Sequence, residues 1–247
     1  MKPRNYIFLR CNIVLLFFIS LNVVQAQDLK NSFKLNFTPT GGYRILVDDS
    51  ATGLLPGFRD YENMRFGMSG NLEYTRNVTK WLSISAAIEY QYFEYGGIQN
   101  FYSYDSINNF TSAGTVKTSF IHHYLGIPIK FYFNLVQKEK FRLYTFIGVN
   151  PKIALIREYA TELNDTVNNI NSSFHQMDPE DFNPNYHRNV FNIEGMVGIG
   201  FNFNLSKRVF IDMNAMFGMN MLRSNKDTPI NDYIYRAGGN VGLGYSF

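Results

Sequence analysis

Apolar and polar residues alternate one for one along most of this chain, in eight separate stretches. A period of two puts successive side chains on opposite faces, so each stretch predicts a β-strand with one apolar and one polar face. The strongest runs are Trp81 to Tyr95 and Ser119 to Asn134. In the first, Leu82, Ile84, Ala86, Ile88, Tyr90 and Tyr92 oppose Ser83, Ser85, Glu89 and Gln91; in the second, Ile121, Leu125, Ile127, Ile129, Phe131 and Phe133 oppose His122, Tyr124, Gly126, Lys130 and Tyr132. Arg65 to Arg76, Val190 to Asn204 and Val209 to Arg223 repeat the pattern. The last strand begins near Tyr233 and ends with Val241, Leu243, Tyr245 and Phe247 alternating against Asn240, Gly242, Gly244 and Ser246. Two stretches are less regular. Phe33 to Val47 sets Phe33, Leu35 and Phe37 against Lys34, Asn36 and Thr38, but is interrupted by Pro39 and Gly41-Gly42. Phe141 to Arg157 places Tyr144 and Phe146 on the face of Arg142, Asn150 and Lys152, which fits either aromatics turned inward or a bulge near Pro151. Helical periodicity competes nowhere after the N-terminal leader.

The connections sort by length. Asn77 to Lys80, Leu135 to Lys140 and Leu205 to Arg208 are short; Asp48 to Met64, Gly96 to Lys117, Glu158 to Asn189 and Ser224 to Asp232 are long. Strict short/long alternation with one lipid face per strand predicts an all-β fold: an eight-stranded antiparallel transmembrane β-barrel with short periplasmic turns and long extracellular loops. Lipid offers no hydrogen-bond partner to an open sheet edge, so strand eight must close on strand one. Eight strands leave an interior just wide enough to be filled by side chains.

The N-terminus reads as an export leader. Lys2, Arg4 and Arg10 precede the apolar run Ile13 to Leu21, and Val24-Gln25-Ala26 is a small-residue cleavage site. The expected division is therefore a removed signal peptide at 1–26 and an outer-membrane barrel domain at 27–247. Cys11 leaves with the leader, so the mature chain is expected to hold no thiol or disulfide. Of the 23 basic residues three lie in the leader, while none of the 20 acidic ones does, and the mature chain is formally neutral. Its charge gives no reason to expect a nucleic-acid partner. The chain carries 23 Phe and 17 Tyr against one Trp, which suits strands with one lipid face. Trp81 and Phe141 at short-turn ends, and Tyr90, Tyr92 and Tyr95 at a long-loop end, are expected in the interfacial aromatic girdles.

The polar faces carry the candidate chemistry. Glu73, Glu89, Glu194 and Asp212 are expected inside, with Lys130, Arg142, Lys152 and Arg236. Four acids and four bases can pair off, and isolated buried charges are expensive, so an ionic plug across the lumen is expected. At the other extreme of the chain, Asn240, Gly242, Tyr245 and Phe247 resemble the C-terminal signal by which barrel-assembly machinery recognises outer-membrane proteins.

The segment His123-Tyr124-Leu125-Gly126-Ile127-Pro128-Ile129-Lys130-Phe131-Tyr132-Phe133, followed by Tyr144-Thr145-Phe146-Ile147-Gly148-Val149, resembles a signature of the outer membrane β-barrel proteins related to PorT. The resemblance covers the whole mature chain in layout, but in letters only this segment and the C-terminus. It implies a barrel of the eight-stranded type in a Gram-negative outer membrane, most relatives having no assigned activity. PorT itself is associated with protein secretion, and no residue here marks this chain as the secretion-specific member. Pro128 belongs to the shared pattern and predicts a bulge or a gap in the ladder.

Other motifs weigh toward ordinary structural roles. His122 and His123 point to opposite faces and are poorly placed to share a metal. The run Asp178 to Asn185 lacks the spacing of a calcium loop and reads as a solvated, Pro-punctuated loop. Ser172, Ser173, His175 and His187 supply hydrolase residue types without a recognisable motif. The glycines of Gly195 to Gly200 and Gly238 to Gly244 recur on strand faces, and making room in a crowded lumen accounts for them better than a phosphate loop does. The loop Phe101-Tyr102-Ser103-Tyr104 is expected to fold over the barrel mouth rather than hold a partner. The expected function is a non-catalytic outer-membrane barrel, structural or accessory to interaction or secretion. It needs no cofactor, is surrounded by outer-membrane lipid, and has room for an extracellular or envelope protein partner. The rivals are a lipid-modifying barrel enzyme and a small-solute channel.

Overall fold

The computed structural model describes residues 31–48, 62–104, 110–165, 170–177, 189–222 and 230–247. The expected leader with Cys11, the run Asp178 to Asn185, His187 and the side chains of Phe101 to Tyr104 lie outside the described residues. The strands are β1 (Asn31–Asp48), β2 (Glu62–Asn63), β3 (Arg65–Asn77), β4 (Leu82–Tyr104), β5 (Phe110–Gly126), β6 (Ile129–Gln137), β7 (Phe141–Asp165), β8 (Ile170–Met177), β9 (Phe191–Asn204), β10 (Val209–Asn220) and β11 (Ile230–Ser246).

Antiparallel pairing runs from β1 through β3 and β4 to β5 and β6, then through β7, β9 and β10 to β11. β11 returns to β1, with Phe33 opposite Tyr245 and Leu35 opposite Leu243. The sheet is a closed ring. β5 and β6 form one stave broken at Ile127-Pro128, where Ala87 N donates to Pro128 O (3.0 Å) and Ile127 N to Pro151 O (2.9 Å), so the gap loses little of the ladder. Counted this way, eight staves close the barrel among the described residues, and β2 and β8 are lateral additions at the long-loop end.

Burial alternates with the predicted period. Along β3, Phe66, Met68, Leu72 and Tyr74 are exposed while Ser69, Asn71, Glu73 and Thr75 are buried. Leu35 and Ile88, 67% and 65% exposed, are typical of the outside. An apolar exterior around a polar interior inverts the order of a water-soluble domain. A closed barrel of this kind is how strands cross a membrane, since every backbone group is paired and only side chains meet lipid.

Three expectations are corrected. Gly96 to Lys117 and Glu158 to Asn189 are not simply loops: β4 pairs with β5 as far as Tyr104 opposite Phe110, and β7 pairs with β8 from Glu158 opposite Met177 to Asp165 opposite Ile170. The ladder continues past the apolar alternation because backbone pairing does not require it, leaving a four-stranded sheet raised on one side of the rim. Second, Pro151 sits in unbroken register opposite Ile193, and the β7 irregularity falls at Leu155, where Tyr124 pairs with Ala154 but His123 with Ile156. Third, Tyr95 is no girdle residue. It is odd-numbered in β4, faces inward at 1% exposure, and packs with Phe93, Phe120 and His122. Just beyond it Gly96 adopts φ +149°, and a Cβ there would collide with the Thr118 carbonyl.

Tyr144 and Phe146 are inside the barrel, at 0% and 3% exposure. Gly200 and Gly198 make room for them: a Cβ on Gly200 would lie 2.7 Å from the Tyr144 hydroxyl, and one on Gly198 would strike the Phe146 ring. Gly195 departs from the lumen-filling account, since it lies in the outward register of β9.

Candidate functional site

The alternation that turns apolar side chains outward drives charged residues of the opposite register into the lumen. Glu73, Glu89, Lys130, Lys152, Glu194, Asp212 and Arg236 are buried, and Arg142 is half-buried near a short turn.

Glu73 is the hub of one group. Lys34 Nζ lies 2.6 Å from its Oε1 and Lys130 Nζ 2.8 Å from its Oε2, while the Tyr132 hydroxyl donates to Oε1 at 2.7 Å and Thr75 Oγ1 at 3.1 Å. Glu194 is the hub of another. Arg236 grips it through Nε and through Nη2 (3.0 Å), and Lys152 Nζ donates to it at 3.1 Å and to Gln91 at 3.1 Å. The Arg236 guanidinium also reaches Glu89 at 3.5 Å, and Asn150 Nδ2 donates to Glu89 at 2.5 Å.

Asp212 is held differently. Its carboxylate accepts from the Tyr144 hydroxyl (2.7 Å), Asn214 Nδ2 (3.2 Å) and Asn240 Nδ2 (3.3 Å), and Lys34 Nζ is 3.9 Å away. With its amide turned to suit its neighbours, Asn202 donates to Asp212 at 2.9 Å and accepts from Arg142 Nη2 at 2.8 Å. The expected four-against-four pairing is therefore corrected. Arg142 contacts Asn202 and the Tyr144 ring rather than a carboxylate, and Lys34 is a further inward cation. The reason is position: Lys34 stands directly opposite Glu73 across the β1–β3 pairing, nearer than any partner from the far wall. The alternation with Phe33, Leu35 and Phe37 puts Lys34 on the polar face beside Asn36 and Thr38, and that is the signal for including it. Tyr132 and Tyr144 had no such signal, because an inward aromatic reads as filler until its hydroxyl is seen to meet a carboxylate.

The terminal motif is built into the closing seam. Asn240 is buried, receives a hydrogen bond from Thr38 Oγ1 (2.9 Å) and donates to Asn36 (3.4 Å). Gly242 faces inward, where a Cβ would strike the Asn36 side chain. Tyr245 and Phe247 are exposed outward; Phe247 exchanges two backbone hydrogen bonds with Asn31 (2.9 and 3.0 Å) and stacks on Phe33.

The histidines stand apart. His122 faces inward between the Tyr95 and Tyr124 hydroxyls (3.2 and 2.7 Å), and His123 faces outward against Tyr90 (2.5 Å). Among the described residues no three His, Cys, Asp or Glu side chains converge to hold a metal. His175 pairs with Glu158 at 2.8 Å on the exposed raised sheet, where Ser172 and Ser173 are also exposed.

No family model matches the sequence, and no curated protein matches it. Solved structures similar to it include Ail, the attachment invasion locus protein of Yersinia pestis, in complex with the heparin analogue sucrose octasulfate, at 12% identity over 90% of this chain and 100% of that one, TM-score 0.37. Others are the outer membrane protein OprG from Pseudomonas aeruginosa (10% identity, 89% and 96% covered, TM-score 0.42) and the outer membrane protease OmpT from Escherichia coli (7% identity, 92% and 100% covered, TM-score 0.42). The barrel assignment rests on the closed strand pairing, not on these likenesses.

Proposed function

We propose that this chain is a non-catalytic outer-membrane β-barrel protein whose lumen is closed by its own ionic network. The observation that carries the reading is the engagement of Glu73, Glu89, Glu194 and Asp212 by cations and neutral donors from several staves, which ties opposite walls together across the interior. A lumen filled in this way leaves the outer face and the rim as the working surfaces.

In this reading outer-membrane lipid surrounds the belt, the barrel-assembly machinery recognises Asn240, Gly242, Tyr245 and Phe247, and the protein stabilises the envelope or assists an interaction or secretion complex. The one-sided sheet of β4, β5, β7 and β8 supports the contact role. Its outer strand β8 pairs with β7 alone among the described residues, and Ile170 and Phe174 on it are about half exposed. Kinship with the PorT-related proteins remains part of the proposal, carried by the segment around Pro128.

Single-channel recording of the purified protein in a planar bilayer tests the closed lumen. Rare or no openings are expected; a large steady conductance would overturn the reading and favour a solute channel.

A further inference from the structure

The seam that closes the barrel has one flaw. β1 pairs β11 up to Phe37 opposite Val241 and resumes at Thr40 opposite Gly238, so Thr38 and Pro39 have no ladder partner on β11. Proline brings no N–H to the ladder, and the flanking residues Gly41, Gly42, Ala237, Gly238 and Gly239 give the wall almost no side-chain cover. On this spot lies a shallow, open groove of about 420 Å³, whose lining includes Pro39, Thr40, Met64, Arg65, Phe66 and Ala237.

The lining is amphipathic. Pro39, Met64, Phe66 and Ala237 are exposed on the outside of the wall. Thr40 and Arg65 belong to the inward register. Thr40 is 5% exposed, and its Oγ1 has no hydrogen-bond partner; it lies over Gly67, 2.8 Å from where a Cβ there would stand. Arg65 is half-buried, yet its Nε and Nη2 are both enclosed without a partner. These two nitrogens form one edge of the guanidinium, the fork that takes two oxygens of a carboxylate or phosphate. Enclosing that edge with nothing to bond is costly.

Among the described side chains no carboxylate bonds to it. Arg65 and Arg236 flank Gly42 in register on β3 and β11, and Glu194 and Glu89, which bind Arg236, are also bound by Lys152 and Asn150. Among the described residues the inward cations, Lys34, Lys130, Arg142, Lys152 and Arg236 among them, outnumber the inward carboxylates Glu73, Glu89, Glu194 and Asp212. An incoming anion would complement these described cations.

We propose that this open groove is a lateral binding site for a single-chain amphiphile with an anionic oxygen head. The head is held by Arg65 and Thr40, and the alkyl chain lies along Pro39, Met64 and Phe66 toward the bilayer. The proposal rests on the membrane-spanning reading, since the chain needs lipid beside it. A fatty-acid carboxylate and a lipid phosphate share this chemistry.

The test is calorimetric titration of the purified barrel in uncharged micelles with laurate, dodecyl phosphate, dodecanol and dodecyltrimethylammonium. One anion per barrel is expected, with the alcohol and the cation at least about tenfold weaker, and Arg65→Gln or Thr40→Val weakening the anions by about tenfold or more. Arg65→Lys keeps the charge, loses the fork and is expected to fall between. Preference for laurate over dodecyl phosphate, with fatty acid extracted from freshly purified protein, identifies the carboxylate source; the reverse identifies a lipid phosphate. Equal affinity for dodecanol, or anion binding unchanged in folded Arg65→Gln, overturns the site. The ligand series on the unaltered protein decides even if a variant fails to fold. Failure to insert into vesicles would sink the membrane reading and the site together, whereas an inserted barrel that binds no anion sinks the site alone.

Discussion

Replacing Glu194 by Ala removes the carboxylate on which Arg236 and Lys152 converge. Three charge-assisted hydrogen bonds are lost, two from Arg236 and one from Lys152. Each is worth roughly 1.5–3 kcal/mol, but they do not add, because Arg236 keeps Glu89 at 3.5 Å and Lys152 keeps Gln91 at 3.1 Å. The expected loss is therefore about 3–5 kcal/mol, the usual cost of leaving buried charge uncompensated. Equilibrium urea unfolding in lipid vesicles can read it through Trp81, the single tryptophan, which is exposed on the barrel wall and stacked on Phe133. The control is Glu162→Ala on the raised sheet, where the bridge to Lys117 (3.2 Å) joins partly exposed groups and is worth at most about 1 kcal/mol. If Glu194→Ala cost no more than Glu162→Ala, the lumen charges would not bind the walls together, and the closed-lumen reading would lose its support.

Two further outcomes probe the outer wall and the seam. Val197→Arg puts a guanidinium on the lipid face of β9 and is expected to cost about 2–4 kcal/mol if that position lies near the bilayer midplane, measured by the same unfolding transition; a change under about 0.5 kcal/mol would argue against lipid contact there. Deleting Phe247 removes both backbone hydrogen bonds to Asn31 and the stack on Phe33, so membrane yield and heat-modifiable gel mobility are expected to fall, and unchanged values would deny the terminal residue a part in assembly.

The alternation by itself determined which way each side chain faces, because the pleat allows only two directions and lipid tolerates apolar groups alone on one of them. That was enough to place Glu73, Glu89, Glu194 and Asp212 inside, to put Leu72 and Val241 outside, and to read Pro128 as a break. Strand ends were not legible in the same way. Beyond the bilayer β4, β5, β7 and β8 keep pairing through polar residues, and backbone hydrogen bonds leave no periodic mark on side chains. The irregularity at Leu155 was equally silent, since a shift of one residue is fixed by the neighbouring stave and not by Pro151. Partner choice within the lumen belonged wholly to the tertiary structure. Closing the ring sets which walls face each other, and only then does Lys34 meet Glu73, Tyr144 meet Asp212, and Arg65 remain at the Pro39 flaw with an unfilled fork.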